Sequence, residues 1–221
     1  MTLVVFDIES VLIDGEFFPA LAERVGRGPE VQKLTELGIA GKIDWKKGLE
    51  DRLKILEKAG AGYQLCKEVT MELPMTDGAA EVVKELKKMG AIVIGISGGP
   101  SMLAKRVKHE LGMDYVFAND LVFKAGSLVG YKVFLDGKKS TIFNSTFGKF
   151  LAEKKKAAVV DGANDLPLFD FVDLRIGYNA QEVVRRRADI TLERGEFRQI
   201  PGLIRDRLHP THRQPTTTTI S

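Results

Sequence analysis

Two short apolar runs of this chain each end abruptly in acids. Val4-Val5-Phe6 leads into Asp7-Ile8-Glu9, where the carboxylates are spaced i, i+2, and Ala157-Ala158-Val159-Val160 leads into Asp161-Gly162-Ala163-Asn164-Asp165. Apolar runs of this length, without alternation, read as strands buried on both faces of a parallel sheet. Ligands of open α/β sheets bind just beyond the carboxyl ends of such strands. The pattern therefore delivers four carboxylates to one sheet edge, which requires a hard cation or a shared proton to offset their repulsion. A third apolar run, residues 91–96, ends at Ser97-Gly98-Gly99. A hydroxyl followed by two glycines can present side-chain and backbone donors to an oxyanion with little obstruction.

The elements that position these residues alternate between strand and helix, with one departure. Residues 3–6 form a first strand, and residues 15–73 are then almost wholly helical in pattern, with segments at 19–25, 29–37, 45–56 and 63–73. Asp44 is placed to N-cap the third of these, on which Leu49, Leu53 and Leu56 share a face. The α/β rhythm resumes with a helix over 82–89, the strand at 91–96 and a helix that Ser101 can cap. A short strand at 115–117, a hairpin of 121–123 with 128–134 and a helix through Ile142, Phe143, Phe147, Phe150 and Leu151 follow. The acidic strand at 157–160 and strands at 174–176 and 190–192 complete the set. The fold class is α/β: a Rossmann-like parallel sheet core, residues 1–14 and 74–208, with an inserted helical cap, residues 15–73, after the first strand. Residues 209–221 read as a disordered tail, in which the His209 and His212 pair is incidental.

Composition narrows the function classes. A net charge of +3, with short basic runs at Lys154-Lys155-Lys156 and Arg185-Arg186-Arg187 that lack interleaved aromatics, argues for solvated surface rather than a nucleic-acid groove. No apolar segment approaches the length needed to span a bilayer, and the N-terminus carries no basic leader or apolar signal core. The single cysteine, Cys66, cannot form an intramolecular disulfide and reads as a buried filler. The expectation is a cytoplasmic protein with no nucleic-acid or membrane partner.

Taken together, the motifs resemble those of the haloacid-dehalogenase (HAD) superfamily phosphatases, and within them the phosphoserine phosphatase group, over residues 1–205. The resemblance implies that Asp7 is a nucleophile forming an aspartyl-phosphate, a route that splits hydrolysis into two easier displacements. It implies Mg²⁺ held by Asp7, Asp161 and Asp165, with Glu9 adding its main-chain carbonyl. Glu9 stands where most relatives have a second aspartate, as general acid and then base; its extra methylene moves the carboxyl by about 1 Å. The same Asp-x-Glu pattern marks a branch that includes phosphoserine:homoserine phosphotransferases. Ser97, Gly98 and Gly99 would hold phosphate oxygens, and Asn164 would orient the phosphate or the lysine. That lysine is Lys138 or Lys139, with Lys139 preferred because Ile142 and Phe143 then fall at +3 and +4. In the cap, Glu16 matches the residue that binds the substrate amino group. Arg52, on a segment with Trp45 where phenylalanine is usual, matches the one that binds the carboxylate. The implied ligand is a small phosphorylated metabolite. Hydrolysis of phosphoserine, transfer to an acceptor alcohol, hydrolysis of another small phosphate under a retuned cap, and non-catalytic phosphoester binding all remain open at this level.

Overall fold

The protein is described by a computed structural model covering residues 2–135 and 154–210. Lys138, Lys139, the helix expected through residues 142–151, and His212 lie outside the described residues. Among the described residues the sheet has seven strands: β1 (Thr2–Asp7), β2 (Ile92–Pro100), β3 (Tyr115–Lys124), β4 (Ser127–Lys132), β5 (Lys155–Val160), β6 (Leu174–Tyr178) and β7 (Ile190–Leu192). Their order is β4-β3-β2-β1-β5-β6-β7, parallel throughout except for the antiparallel β3–β4 pair. β1 is central, paired with β2 through Asp7↔Ile96 and with β5 through Phe6↔Val159. This register explains why two acidic motifs far apart in sequence meet at one edge. Along β1 the side chains alternate between two cores: Val4 and Phe6 pack on one face, Leu3 and Val5 on the other.

Four helices follow β1: α1 (Phe17–Arg24), α2 (Gly28–Ile39), α3 (Trp45–Lys58) and α4 (Tyr63–Glu72). Asp44 caps α3, accepting a 2.9 Å bond from the Lys47 N–H. α5 (Ala79–Lys88) and α6 (Ser101–Leu111) flank β2, and α7 (Glu182–Arg185) and α8 (Ile200–Leu208) close the chain. The chain leaving β1 and the chain returning from α4 are joined to each other. The Asp14 N–H donates to the Pro74 carbonyl at 2.9 Å, and the Thr76 N–H donates to the Leu12 carbonyl at 2.9 Å. Arg106 of α6 donates to the Thr70 and Leu73 carbonyls, satisfying acceptors at the C-terminal end of α4. The α3–α4 turn is stitched to the β3–β4 hairpin by Tyr63 N–H to Gly126 O (2.8 Å) and Leu128 N–H to Ala61 O (3.0 Å). Gly126 at that turn has φ +83°, a conformation that L side chains rarely adopt.

Several elements differ from the sequence expectation. The strand expected at 115–117 and the first arm of the hairpin are one continuous strand, β3, whose first half pairs with β2 and second half with β4. Asn119, at the join between the two halves, is fully buried and its amide is used in hydrogen bonds. Ser101 does not cap α6: Pro100 holds that position and the Ser101 hydroxyl binds Asp120 instead. Helix α8 was not anticipated, although Ile200, Ile204 and Leu208 recur at i, i+4 and i+8 and are all buried. His209 Nε2 lies 2.6 Å from Thr2 Oγ1, tying the end of α8 to β1. Cys66 is buried within the helical insertion, and burial pushes its thiol up to about 11. Among the described residues, no helix is long and apolar enough to cross a membrane.

Phe197 is fully buried against Phe6 of β1 (ring centroids 6.1 Å apart) and Tyr178 of β6 (4.8 Å). It supports the strand that ends in Asp7. Phe197→Ala is expected to cost about 3–5 kcal/mol of stability, read from urea denaturation.

Candidate active site

The carboxyl ends of β1, β2 and β5 and the facing ends of the inserted helices enclose one cavity of about 60 Å³. Its lining includes Asp7, Glu9, Glu16, Arg52, Ser97, Gly98, Gly99, Asp161 and Asn164, all singled out from the sequence. Such a volume is well below the ~300–1,000 Å³ of pockets that take drug-sized ligands. Ile39 at the end of α2 faces the loop after β5: a Cβ on Gly162 would come within 2.9 Å of its side chain.

Asp7, at the end of β1, is buried, and its Oδ1 accepts a 2.7 Å bond from the next residue's N–H. Asp161 follows β5 directly, and its carbonyl accepts the Gln181 N–H at 2.9 Å. Asp165 is fully buried in the 3₁₀ segment Ala163–Phe171, with its Oδ1 3.2 Å from the amide nitrogen of Asn164. The structure thus sets Asn164 on the neighbouring acid. Asp7, Asp161 and Asp165 each present an oxygen within 4.8 Å of the others. Three carboxylate oxygens at this spacing, with no sulfur or imidazole among them, fit a hard divalent cation such as Mg²⁺ or Ca²⁺ rather than a thiophilic metal.

The Glu9 side chain takes a different direction from these three acids. Its Oε1 accepts the Phe17 N–H at 2.8 Å, at the first residue of α1, and its Oε2 accepts the Ser97 hydroxyl at 2.9 Å. Ser97 Oγ in turn accepts the Gly99 N–H at 2.8 Å. The expected phosphate-facing hydroxyl therefore donates to Glu9 in this closed arrangement. The longer side chain fits because position 99 is glycine: a Cβ there would lie 1.9 Å from Glu9 Oε2. Gly98 is likewise crowded, with the Trp45 indole nitrogen 3.2 Å from where a Cβ would be. Burial, reinforced by Asp7, raises the Glu9 pKa above the usual carboxylate range. Glu16, whose Oε1 accepts the Ser10 hydroxyl at 2.6 Å, is pushed up to about 8 by burial and then by Glu9. Arg52 is drawn down by burial and held up by the charges of Glu9 and Glu16.

Some residues that shape the site carried no sequence signal of their own. Asn119 donates to the Gly98 carbonyl at 3.1 Å and accepts the Phe134 and Leu135 N–H groups at 2.7 Å, and Tyr131 donates to the same Gly98 carbonyl at 2.7 Å. These bonds aim the Ser97-Gly98-Gly99 backbone. Phe18 and Thr35 line the cavity beside Arg52. Neither belongs to a motif in the sequence, and only the fold shows what they touch.

Comparison with known proteins gives this geometry a context. The family model of haloacid dehalogenase-like hydrolases matches residues 1–169. A phosphoserine phosphatase of Archaeoglobus fulgidus is 36% identical over 191 residues, 85% of this chain; the chain spans 55% of that relative's length. A phosphoserine phosphatase of Methanocaldococcus jannaschii is 31% identical over 207 residues, covering 90% of this chain and 95% of the relative. A solved structure described as a phospho-aspartyl intermediate analogue of phosphoserine phosphatase superposes with a TM-score of 0.84 at 30% identity, over 91% of this chain and 97% of that one.

Mg²⁺ is expected to raise the melting temperature, since a ligand that binds only the folded state at 100 times its Kd adds about 2.7 kcal/mol. Asp161→Asn should abolish most of that shift in a thermal melt with and without EDTA.

Proposed function

The chain belongs to the haloacid dehalogenase-like hydrolases, and from that premise we propose that it hydrolyses small phosphomonoesters through Asp7, with phosphoserine the favoured substrate. The observation that carries this reading is one cavity with two halves. Asp7 and Asp161 line it at the strand ends, with Asp165 buried within 4.8 Å of them, while Glu16 and Arg52 enter from the helical side. The first half suits a phosphoryl group and the second an amino-acid end. The proposed division of labour assigns residues 1–14 and 74–208 to chemistry and residues 15–73 to substrate selection.

Asp7, Asp161 and Asp165 would hold Mg²⁺, with the Glu9 carbonyl as a further ligand; the ion would neutralise phosphate charge and polarise its oxygens. Asp7 attacks phosphorus, and the bond from phosphorus to the ester oxygen breaks as the Asp7–phosphorus bond forms. The Glu9 carboxyl, fixed between the Phe17 N–H and the Ser97 hydroxyl, gives its proton to the departing alkoxide. The resulting Glu9 carboxylate then takes a proton from water, whose oxygen attacks phosphorus and frees Asp7 and inorganic phosphate. The Gly98 and Gly99 backbone and the Ser97 hydroxyl border the phosphate position, and a lysine of the Lys138-Lys139 pair would neutralise it. Glu16 would meet the substrate ammonium and Arg52 its carboxylate. The cysteine buried at position 66 and the absence of a spanning helix among the described residues suit a cytoplasmic setting.

Glu9 itself favours a second reading. The same half-reaction, completed by an alcohol in place of water, would make the chain a phosphotransferase, with homoserine the acceptor to test.

With a panel of phosphomonoesters, Mg²⁺-dependent phosphate release is expected to be fastest for L-phosphoserine. Asp7→Asn should lower kcat by at least about 10³-fold, because it removes the nucleophile itself. Phosphohomoserine formed when homoserine is present would assign the transferase reading, and binding without turnover would assign a non-catalytic role.

A further inference from the structure

Arg52 would be of little use as a carboxylate receptor if its long side chain were free to move, since ordering it on binding would consume affinity. Its surroundings address that cost. The Arg52 Nε donates to the Gly48 carbonyl at 3.1 Å, one turn back on α3, and its Nη1 donates to Thr35 Oγ1 at 3.2 Å, on α2. The guanidinium carbon stands 5.2 Å from the centre of the Phe18 ring, within cation–π range. Phe18 is itself held by edge contact with Phe17 (5.6 Å) and by the Tyr131 ring (6.0 Å).

The Thr35 contact is directional. Thr35 is 1% exposed, and its hydroxyl donates its only hydrogen to the Val31 carbonyl at 2.9 Å. With that hydrogen committed, the oxygen can only accept from Arg52. Among the described residues, Nη2 makes no hydrogen bond, so one face of the guanidinium fork stays available to a ligand.

We propose that Thr35 is a positioning residue for substrate specificity: its hydroxyl oxygen, with the Gly48 carbonyl and the Phe18 ring, presets the Arg52 fork for a substrate carboxylate. This rests on the assignment of Arg52 to the carboxylate made above, and it adds a residue outside the phosphoryl-transfer machinery. α2 thereby takes part in selection although it supplies no charged group to the substrate.

The test compares L-phosphoserine with phosphoethanolamine, which keeps the phosphate and amino groups but lacks the carboxylate. Thr35→Val, nearly isosteric, removes the acceptor. It is expected to raise KM for phosphoserine about tenfold, the loss typical of one hydrogen bond to a charged group. kcat for both substrates and KM for phosphoethanolamine should stay within about twofold, because the bond lost touches only the carboxylate receptor. Thr35→Ser, which keeps the hydroxyl, should behave as wild type, and Thr35→Ala repeats the test should valine overpack. An unchanged KM for phosphoserine, or an equal rise for both substrates, would overturn the proposal. A wild type that handles the two substrates alike would instead overturn the Arg52 assignment, and this inference with it.

Discussion

Mutual repulsion among carboxylates is the constraint on which the rest of this structure depends. Asp7, Asp161 and Asp165 bring oxygens within 4.8 Å of one another. At an effective dielectric of about 20, each ionised pair at that distance repels by roughly 3.5 kcal/mol. Glu9 and Glu16 add two more acids around the same cavity, where Arg52 is the only cation among the described lining residues. A fold would not assemble such a group for stability. The cluster persists because strongly packed strands impose it, and a divalent cation would turn the repulsion into binding.

The strands impose it through register. β1 sits between β2 and β5, so the ends that carry Asp7, Ser97 and Asp161 are fixed by backbone pairing and by apolar side chains on both faces. Glycine then decides where side chains go. Gly99 leaves the volume that the Glu9 carboxyl occupies, and Gly162 leaves the volume shared by Asn164 and Ile39. Glu9 in turn links two regions, since one oxygen is bound by the first N–H of α1 and the other by the hydroxyl at the end of β2. The acid is thereby oriented only when helix α1 and strand β2 stand in this relation.

Much of this was legible in the sequence because local pattern and chemistry coincide in it. Unalternating apolar runs ending in Asp7 and Asp161 marked parallel strands that bring acids to one edge, and the glycine-punctuated helices between residues 15 and 73 marked the insertion. What was not legible depends on long-range contact. Asn119 carries no motif of its own, yet its amide bonds the Gly98 carbonyl across to β2. Thr35 belongs to no motif, and its part emerges when α2 is laid against α3 and its oxygen meets Arg52. The direction of the Glu9 side chain, away from the three-acid cluster, follows from partners 8 and 88 residues away. No pattern within its own segment encodes that choice.

The central claim is that Asp7 carries the phosphoryl group. Rapid acid quench of the enzyme turning over ³²P-phosphoserine, followed by peptide mapping, tests it most directly. The account predicts a transient, hydroxylamine-labile label on the peptide containing Asp7, formed and lost at rates that match phosphate release. Phosphate release with no labelled protein at any time, or a label on another residue, would contradict it.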